Sequence, residues 1–167
     1  MRSLGLDLSS ASTGWAIISD GPSLVDYGAV AFDAHTTHKD RLIILGGLIE
    51  QITTQFFPID WVIIEDTFMA KNVKTTKLLN KYSGVAIASV RKSLLDSTKI
   101  AIAYPSSIRA ALFPKQKGIK AEQSKEDVFN YMCDKYNLPP DSVNDITDAI
   151  ALATFPFISE VDKTWIL

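Results

Sequence analysis

Four carboxylates stand where an acidic side chain is costly. Asp7 interrupts the apolar run LGLDL (4–8), and Glu65 ends the β-branched run WVIIE (61–65). Asp145 and Asp148 lie three apart at the head of DITDAIALA (145–153). Residues three apart on a helix share a face, so these two acids project together. Ionised carboxylates gathered in a partly dry pocket repel one another; the cluster must hold protons or surround a cation. Its donors are oxygens alone, with no His or Cys beside them, which fits a hard divalent ion such as Mg²⁺ or Mn²⁺. Each acid also has a plainer reading. Asp145 could cap the last helix, with Asp148 favoured by the helix dipole, and Glu65 could face water at a strand end. Asp7, inside an apolar strand, has no such easy alternative.

The elements that must position these acids can be read from hydrophobic periodicity. Segments 2–8 and 13–20 read as strands joined by the tight turn SSAST, and a third strand near 23–32 follows the Gly21-Pro22 breaker. Together they predict an antiparallel meander. A helix is expected from about Asp40 to Phe57, with apolar positions at Leu42, Leu45, Leu48, Ile49, Ile52 and Phe56, ended by Pro58. WVIIE is expected to be a central strand buried on both faces. There follow a long helix over about 73–95, a strand at 99–104, a short helix from Pro105 to Leu112 and a basic loop, FPKQKGIK. Helices at about 122–136 and 145–154 close the chain. The order predicts a central mixed sheet with helices on both faces, in one domain spanning 1–167.

A net charge of −2 hides strong segregation. Residues 1–70 hold 3 Lys/Arg against 9 Asp/Glu, residues 71–125 hold 12 against 2, and residues 126–167 hold 2 against 8. A basic middle between acidic flanks suits an anionic polymer gripped by one region and metal ions held by another. Within it Lys74, Lys77 and Lys81 form one stripe along the long helix, led in by Lys71, opposite Leu78, Tyr82, Val85 and Val90. Such a stripe contacts phosphates or simply faces solvent. Gly84 and Ala88 permit close approach of the sheet or of a second subunit. His35 and His38 are expected to be solvated, and the lone Cys133 to be a small buried hydrophobe. No apolar run reaches the roughly 20 residues of a membrane span, and a cytoplasmic location is expected.

The string EDTFMAKNVKTTKLLNKYSGVAIASV, from Glu65, resembles the RuvC Holliday junction resolvases through its FMAKN block, Phe68 to Asn72. GLDLSSASTGWAII resembles the first hairpin of that family and DITDAIALA its final D-x-x-D-A helix, so the resemblance covers roughly residues 4–153. It implies a ribonuclease H-like α/β fold with a five-stranded mixed sheet, the first three strands antiparallel. It implies an endonuclease of four-way and branched DNA, acting as a homodimer by two-metal hydrolysis, with two Mg²⁺ ions per site. Asp7, Glu65, Asp145 and Asp148 match the metal-binding catalytic acids. Lys125 matches a lysine that assists at the scissile phosphate, and Phe68 an aromatic wedge at the strand exchange point, although a phenylalanine after a buried strand also suits a core. DNA contacts are further expected at Lys71, Asn72, Lys74, Lys77, Lys81 and Arg109.

Several features depart from that pattern. Arg109 stands where the family usually has lysine, and because arginine does not readily donate a proton its expected role is phosphate clamping. Leu8-Ser9 replaces the usual Pro-Gly after the first aspartate, and residues 156–167 form a C-terminal extension without a counterpart. Other readings remain: a ribonuclease H-like nuclease preferring forks, flaps or RNA–DNA hybrids, an actin-like kinase or ATPase, or an inactive junction-binding module. The kinase needs two such domains, which 167 residues do not hold.

Overall fold

The computed structural model describes residues 1–66, 73–94, 96–114, 121–139, 142–162 and 166–167. Their elements run β1 (Ser3–Leu8), β2 (Ser12–Ser19), β3 (Ser23–Ala31), α1 (His38–Gln55), β4 (Trp61–Glu65), α2 (Val73–Ser93), β5 (Lys99–Ala103), α3 (Pro105–Leu112), α4 (Ala121–Tyr136) and α5 (Asn144–Ile158). The strands form one sheet in the order β3-β2-β1-β4-β5. The β1–β2 and β2–β3 pairs are antiparallel, while β4 runs parallel to both β1 and β5. This is the expected mixed sheet with an antiparallel meander at its start.

The two-residue period of the strands divides the core into two layers. Leu4, Leu6 and Leu8 of β1, with Val62 and Ile64 of β4, pack against Leu45, Ile49 and Ile52 of α1 and Tyr82, Ala86 and Val90 of α2. Ala16, Ile18, Ile63 and Ala101 pack on the other side with Val128 and Met132 of α4 and Ala149–Ala153 of α5. Gly5 and Asp7 alternate with the leucines of β1, as Ile63 and Glu65 alternate with Val62 and Ile64. Both acids are therefore turned toward α5.

Boundaries differ from the periodicity in two places. Helix α1 begins at His38, because Thr37 accepts the Asp40 backbone N–H on its side chain and its hydroxyl donates to the Asp40 carboxylate at 2.7 Å. It ends at Gln55, ahead of Pro58. Helix α5 continues to Ile158 with Pro156 inside it, beyond the expected end at 154. A proline in the last turn forgoes one hydrogen bond, and the buried Phe155 and the Ser159 N–H bonded to Phe155 O keep that turn closed. No described helix is long and apolar enough to cross a membrane.

Two smaller expectations also change. Cys133 is half-buried at the edge of the α5-side layer, where burial raises its thiol pKa. Gly84 is exposed with open space where a Cβ would stand, so it does not serve an approach to the sheet. His35 and His38 are exposed as expected, although His38 Nδ1 also lies 3.2 Å from the Tyr82 hydroxyl. The chain ends against the sheet edge: Ile166 bridges Ala101 of β5, Leu167 N donates to Ile100 O at 2.9 Å, and Arg91 Nη2 donates to Leu167 O at 2.7 Å.

Two glycines set how near α5 comes to the sheet. A Cβ on Gly5 would stand 2.1 Å from Ala149 O, and one on Gly14 would stand 2.0 Å from Asp145 O. Both obstacles are backbone, which cannot swing aside. Gly5→Ala is expected to cost at least about 2 kcal/mol, as overpacked interiors do, in urea unfolding. Gly47→Ala, on the open face of α1 with nothing within 4 Å, is expected instead to gain roughly 0.5–1 kcal/mol from helix propensity.

Candidate functional site

Asp7 pairs with Gly14 across β1 and β2, and Leu6 pairs with Ile64 across β1 and β4. One step further along the parallel pair, Asp7 and Glu65 are neighbours at the C-terminal ends of their strands, and their carboxyl groups share a hydrogen bond. Helix α5 begins over Gly14. Its first turn carries Asp145, whose Oδ2 accepts a hydrogen bond from the Ser12 hydroxyl, and Asp148 follows on the same face. Val143 occupies the N-cap position without a side-chain bond, so Asp145 does not cap the helix.

The electrostatics report crowding. Burial, then the charges of Glu65, Asp148 and Asp145, hold the Asp7 carboxyl well above the usual carboxylate range. Glu65 is also raised by burial, against the opposing pull of its hydrogen bond to Asp7 and of the Lys125 and Arg109 charges. Asp148 is pushed up to about 6, by burial first and then by Glu65, again opposed by Lys125 and Arg109.

Beside these acids lies a cleft bordered by Glu65, Asp148, Arg109 and Lys125, with Ile108 and Leu152 in its wall. Arg109 is half-buried, its Nε donating to Pro105 O at 3.2 Å, whereas Lys125 is exposed. Two acids and two cations in one lining give a charge mixture that suits a phosphodiester beside a bound cation. Among the described residues no three acids are drawn into a finished metal cage. Magnesium does not demand one: it keeps several waters and is commonly held by one or two carboxylates together with substrate phosphate. The donor chemistry, all carboxylate and crowded enough to raise two of its members markedly, fits such an ion.

Lys74, Lys77 and Lys81 are exposed along α2, while Tyr82 and Val90 are buried and Leu78 and Val85 half-buried, as the stripe requires. Phe68, Lys71 and Asn72 lie outside the described residues. The residues that sequence reasoning passed over are Gly5, Gly14 and Ser12. A glycine two positions before Asp7, on the same strand face, was the available signal for the close helix. Ser12 lay within a segment legible only as a turn.

A carboxyl whose pKa is raised on folding stabilises the fold while it is protonated and loses that contribution as pH climbs through its folded value. The metal-free protein is therefore expected to lose stability as pH rises from about 4, the reference value of an unfolded aspartate, through about 6, the folded value of Asp148. Asp148→Asn is expected to stabilise the metal-free protein at pH 7.5 by about 1–3 kcal/mol and to flatten this slope; thermal unfolding across that range checks both.

The family model described as "Crossover junction endodeoxyribonuclease RuvC" matches residues 3–155. The RuvC protein of Trichlorobacter lovleyi is 28% identical over 156 residues, covering 92% of this chain and 83% of that protein. That of Orientia tsutsugamushi is 31% identical over 124 residues, covering 70% and 73%. With RuvC of Ruminiclostridium cellulolyticum identity is 33% over 96 residues, and there the match spans 57% of the relative's length and 56% of this chain. Among solved structures, Thermus thermophilus RuvC in complex with a Holliday junction substrate superposes with a TM-score of 0.75 at 15% identity, over 92% of this chain and 90% of that one. The yeast mitochondrial Holliday junction resolvase gives 0.53 at 11%, over 91% and 77%. These likenesses establish the ribonuclease H-like fold, and with the family match over nearly the whole length the chain belongs to the RuvC family.

Proposed function

We propose that this chain is a structure-selective endonuclease that resolves Holliday junctions and related branched DNA, hydrolysing phosphodiesters to 5′-phosphate and 3′-hydroxyl ends. The observation that carries the reading is the convergence of Asp7, Glu65, Asp145 and Asp148, from two strands and a helix, beside the two cations Lys125 and Arg109. The Thermus relative solved with a Holliday junction supports the substrate class.

In this reading the four acids hold two divalent ions, Mg²⁺ with Mn²⁺ as substitute. When bound, these supply the activation of water and the neutralisation of charge on the departing 3′-oxygen. The chain's own residues supply position and charge. Glu65 and Asp148 face the cleft where the phosphate enters. Lys125 lines the same cleft, where its charge offsets what builds on the phosphate oxygens in the transition state. Arg109, always charged and forked, clamps a phosphate. The Lys74, Lys77 and Lys81 stripe, with Lys71 and Asn72 leading into it, grips the backbone. Phe68 stacks at the junction centre, where an aromatic ring replaces lost base stacking.

A four-way junction has a two-fold axis, and cutting two like strands calls for two matched sites, hence a homodimer. The exposed α2 positions Gly84 and Ala88 face away from the sheet and leave room for a second subunit. Residues 1–167 act as one nuclease domain in the cytoplasm, with 156–167 an extension of it.

The direct test offers four-way, fork, flap and RNA–DNA hybrid substrates in Mg²⁺ and maps the products to the nucleotide. Preferential paired nicking of the four-way junction is expected; a preference for hybrids or flaps would identify a different ribonuclease H-like nuclease. Asp7→Asn is expected to bind the junction as tightly as the parent while cutting it at least about 100-fold more slowly, and undiminished nicking would refute the assignment. The Lys74→Glu/Lys77→Glu double variant is expected to weaken junction binding and flatten its dependence on salt, measured by fluorescence anisotropy between 50 and 200 mM NaCl, roughly the range over which phosphate contacts are lost.

A further inference from the structure

The four acids are not equally supported by their surroundings, and Asp145 has a support of its own. Strand periodicity turns Ser12, Gly14, Ala16 and Ile18 toward α5, so the Ser12 hydroxyl meets the first turn of that helix and donates to Asp145 Oδ2. Ser12 is itself fixed by the turn before it. Ser9 Oγ accepts the backbone N–H groups of Ala11 at 3.2 Å and Ser12 at 2.9 Å, and it also lies 3.0 Å from Ser12 O and 3.3 Å from Ser12 Oγ.

The direction of these bonds follows from counting. A hydroxyl offers one hydrogen and two lone pairs. The two amide N–H groups occupy both lone pairs of Ser9 Oγ, so Ser9 donates its one hydrogen, to Ser12 O at 3.0 Å. The hydrogen of Ser12 is then left for Asp145. Ser9 thus holds the backbone of Ser12 at both its N–H and its C=O, and the Ser12 hydroxyl donates to the carboxylate.

The arrangement has work to do because α5 starts without a side-chain cap. Its Ile146 N–H donates to Val143 O at 3.0 Å, and the bond that holds the Asp145 carboxylate is the one from Ser12. We propose that Ser12 is a positioning residue for divalent-metal binding: held by Ser9, it fixes the rotation of the Asp145 carboxylate by engaging Oδ2 and leaves Oδ1 as the ligand oxygen. The inference rests on the metal-dependent reading above. It also gives a purpose to the Leu8-Ser9 departure noted in the sequence, since Ser9 supplies both the turn closure and the support of Ser12.

The test compares Ser12→Thr, which keeps the hydroxyl, with Ser12→Val, which has the same shape without it. Mn²⁺ binding to the full chain, without DNA, is measured by calorimetry, and thermal unfolding is followed in parallel. Removing an outer partner of a metal ligand typically costs 10–100-fold in affinity, so Val is expected to weaken Mn²⁺ binding at least about 10-fold while Thr stays within about twofold of the parent. Ser12→Ala gives the same comparison should the β-branched pair disturb the turn. In junction cleavage, Val is expected to raise the half-saturating Mg²⁺ concentration while leaving most of the rate at saturating metal. Equal Mn²⁺ affinity in folded Thr and Val variants, or in parent and Ala, overturns the inference. A parent chain that binds no Mn²⁺ overturns the proposed function instead.

Discussion

Contact between the backbone of α5 and the backbones of β1 and β2 is the constraint on which the candidate site depends. Elsewhere the sheet meets its helices through side chains, which sets helix and sheet apart by the length of a leucine or isoleucine. At Gly5 and Gly14 there is nothing between them, and the helix backbone sits where a Cβ would be. That proximity brings the first turn of α5 down to the level of the strand ends, where Asp7 and Glu65 emerge. A helix held off by even one methyl group would carry Asp145 and Asp148 away from the strand acids, and both the burial and the mutual repulsion that now raise Asp7 and Asp148 would fade.

The site is accordingly a conflict held in place by packing. Burial and like charge both oppose the ionised forms, while Arg109 and Lys125 offset only part of the penalty. The fold tolerates this because the layers on either side are almost wholly apolar, from Leu4, Leu6 and Ile64 toward α1 and α2 to Ile63, Ile150 and Met132 toward α4 and α5. Stability gained in those layers offsets strain in the pocket, and a divalent ion entering it relieves repulsion already present.

Much of this was legible in the sequence because its signals were local. The alternation in LGLDL, the β-branched run ending at Glu65 and the three-residue spacing of Asp145 and Asp148 each fix a face, and three faces suffice to aim four acids at one place. The FMAKN string and the match over residues 3–155, which contains it and the four acids, point to the same family. What was not legible depends on contacts between distant residues. The Ser12–Asp145 bond joins positions 133 apart, and a serine in a serine-rich turn carries no mark of its partner. Helix α5 likewise runs beyond the expected end at 154 and through Pro156, and the burial of Phe155 is a tertiary contact that the local pattern does not carry. Thr37, a capping residue in a polar stretch, moved the start of α1 in the same way.

Residues 166–167 cover part of the outer margin of β5. Strands on a sheet edge invite a neighbouring chain to continue the ladder. On β5 that invitation is already taken up, since Ile166 and Leu167 use the bonding positions of Ala101 and Ile100 and Arg91 pins Leu167 from α2. At these positions the outer margin of β5 is therefore already bonded by the chain's own residues, and no other strand can pair there while the bridge holds.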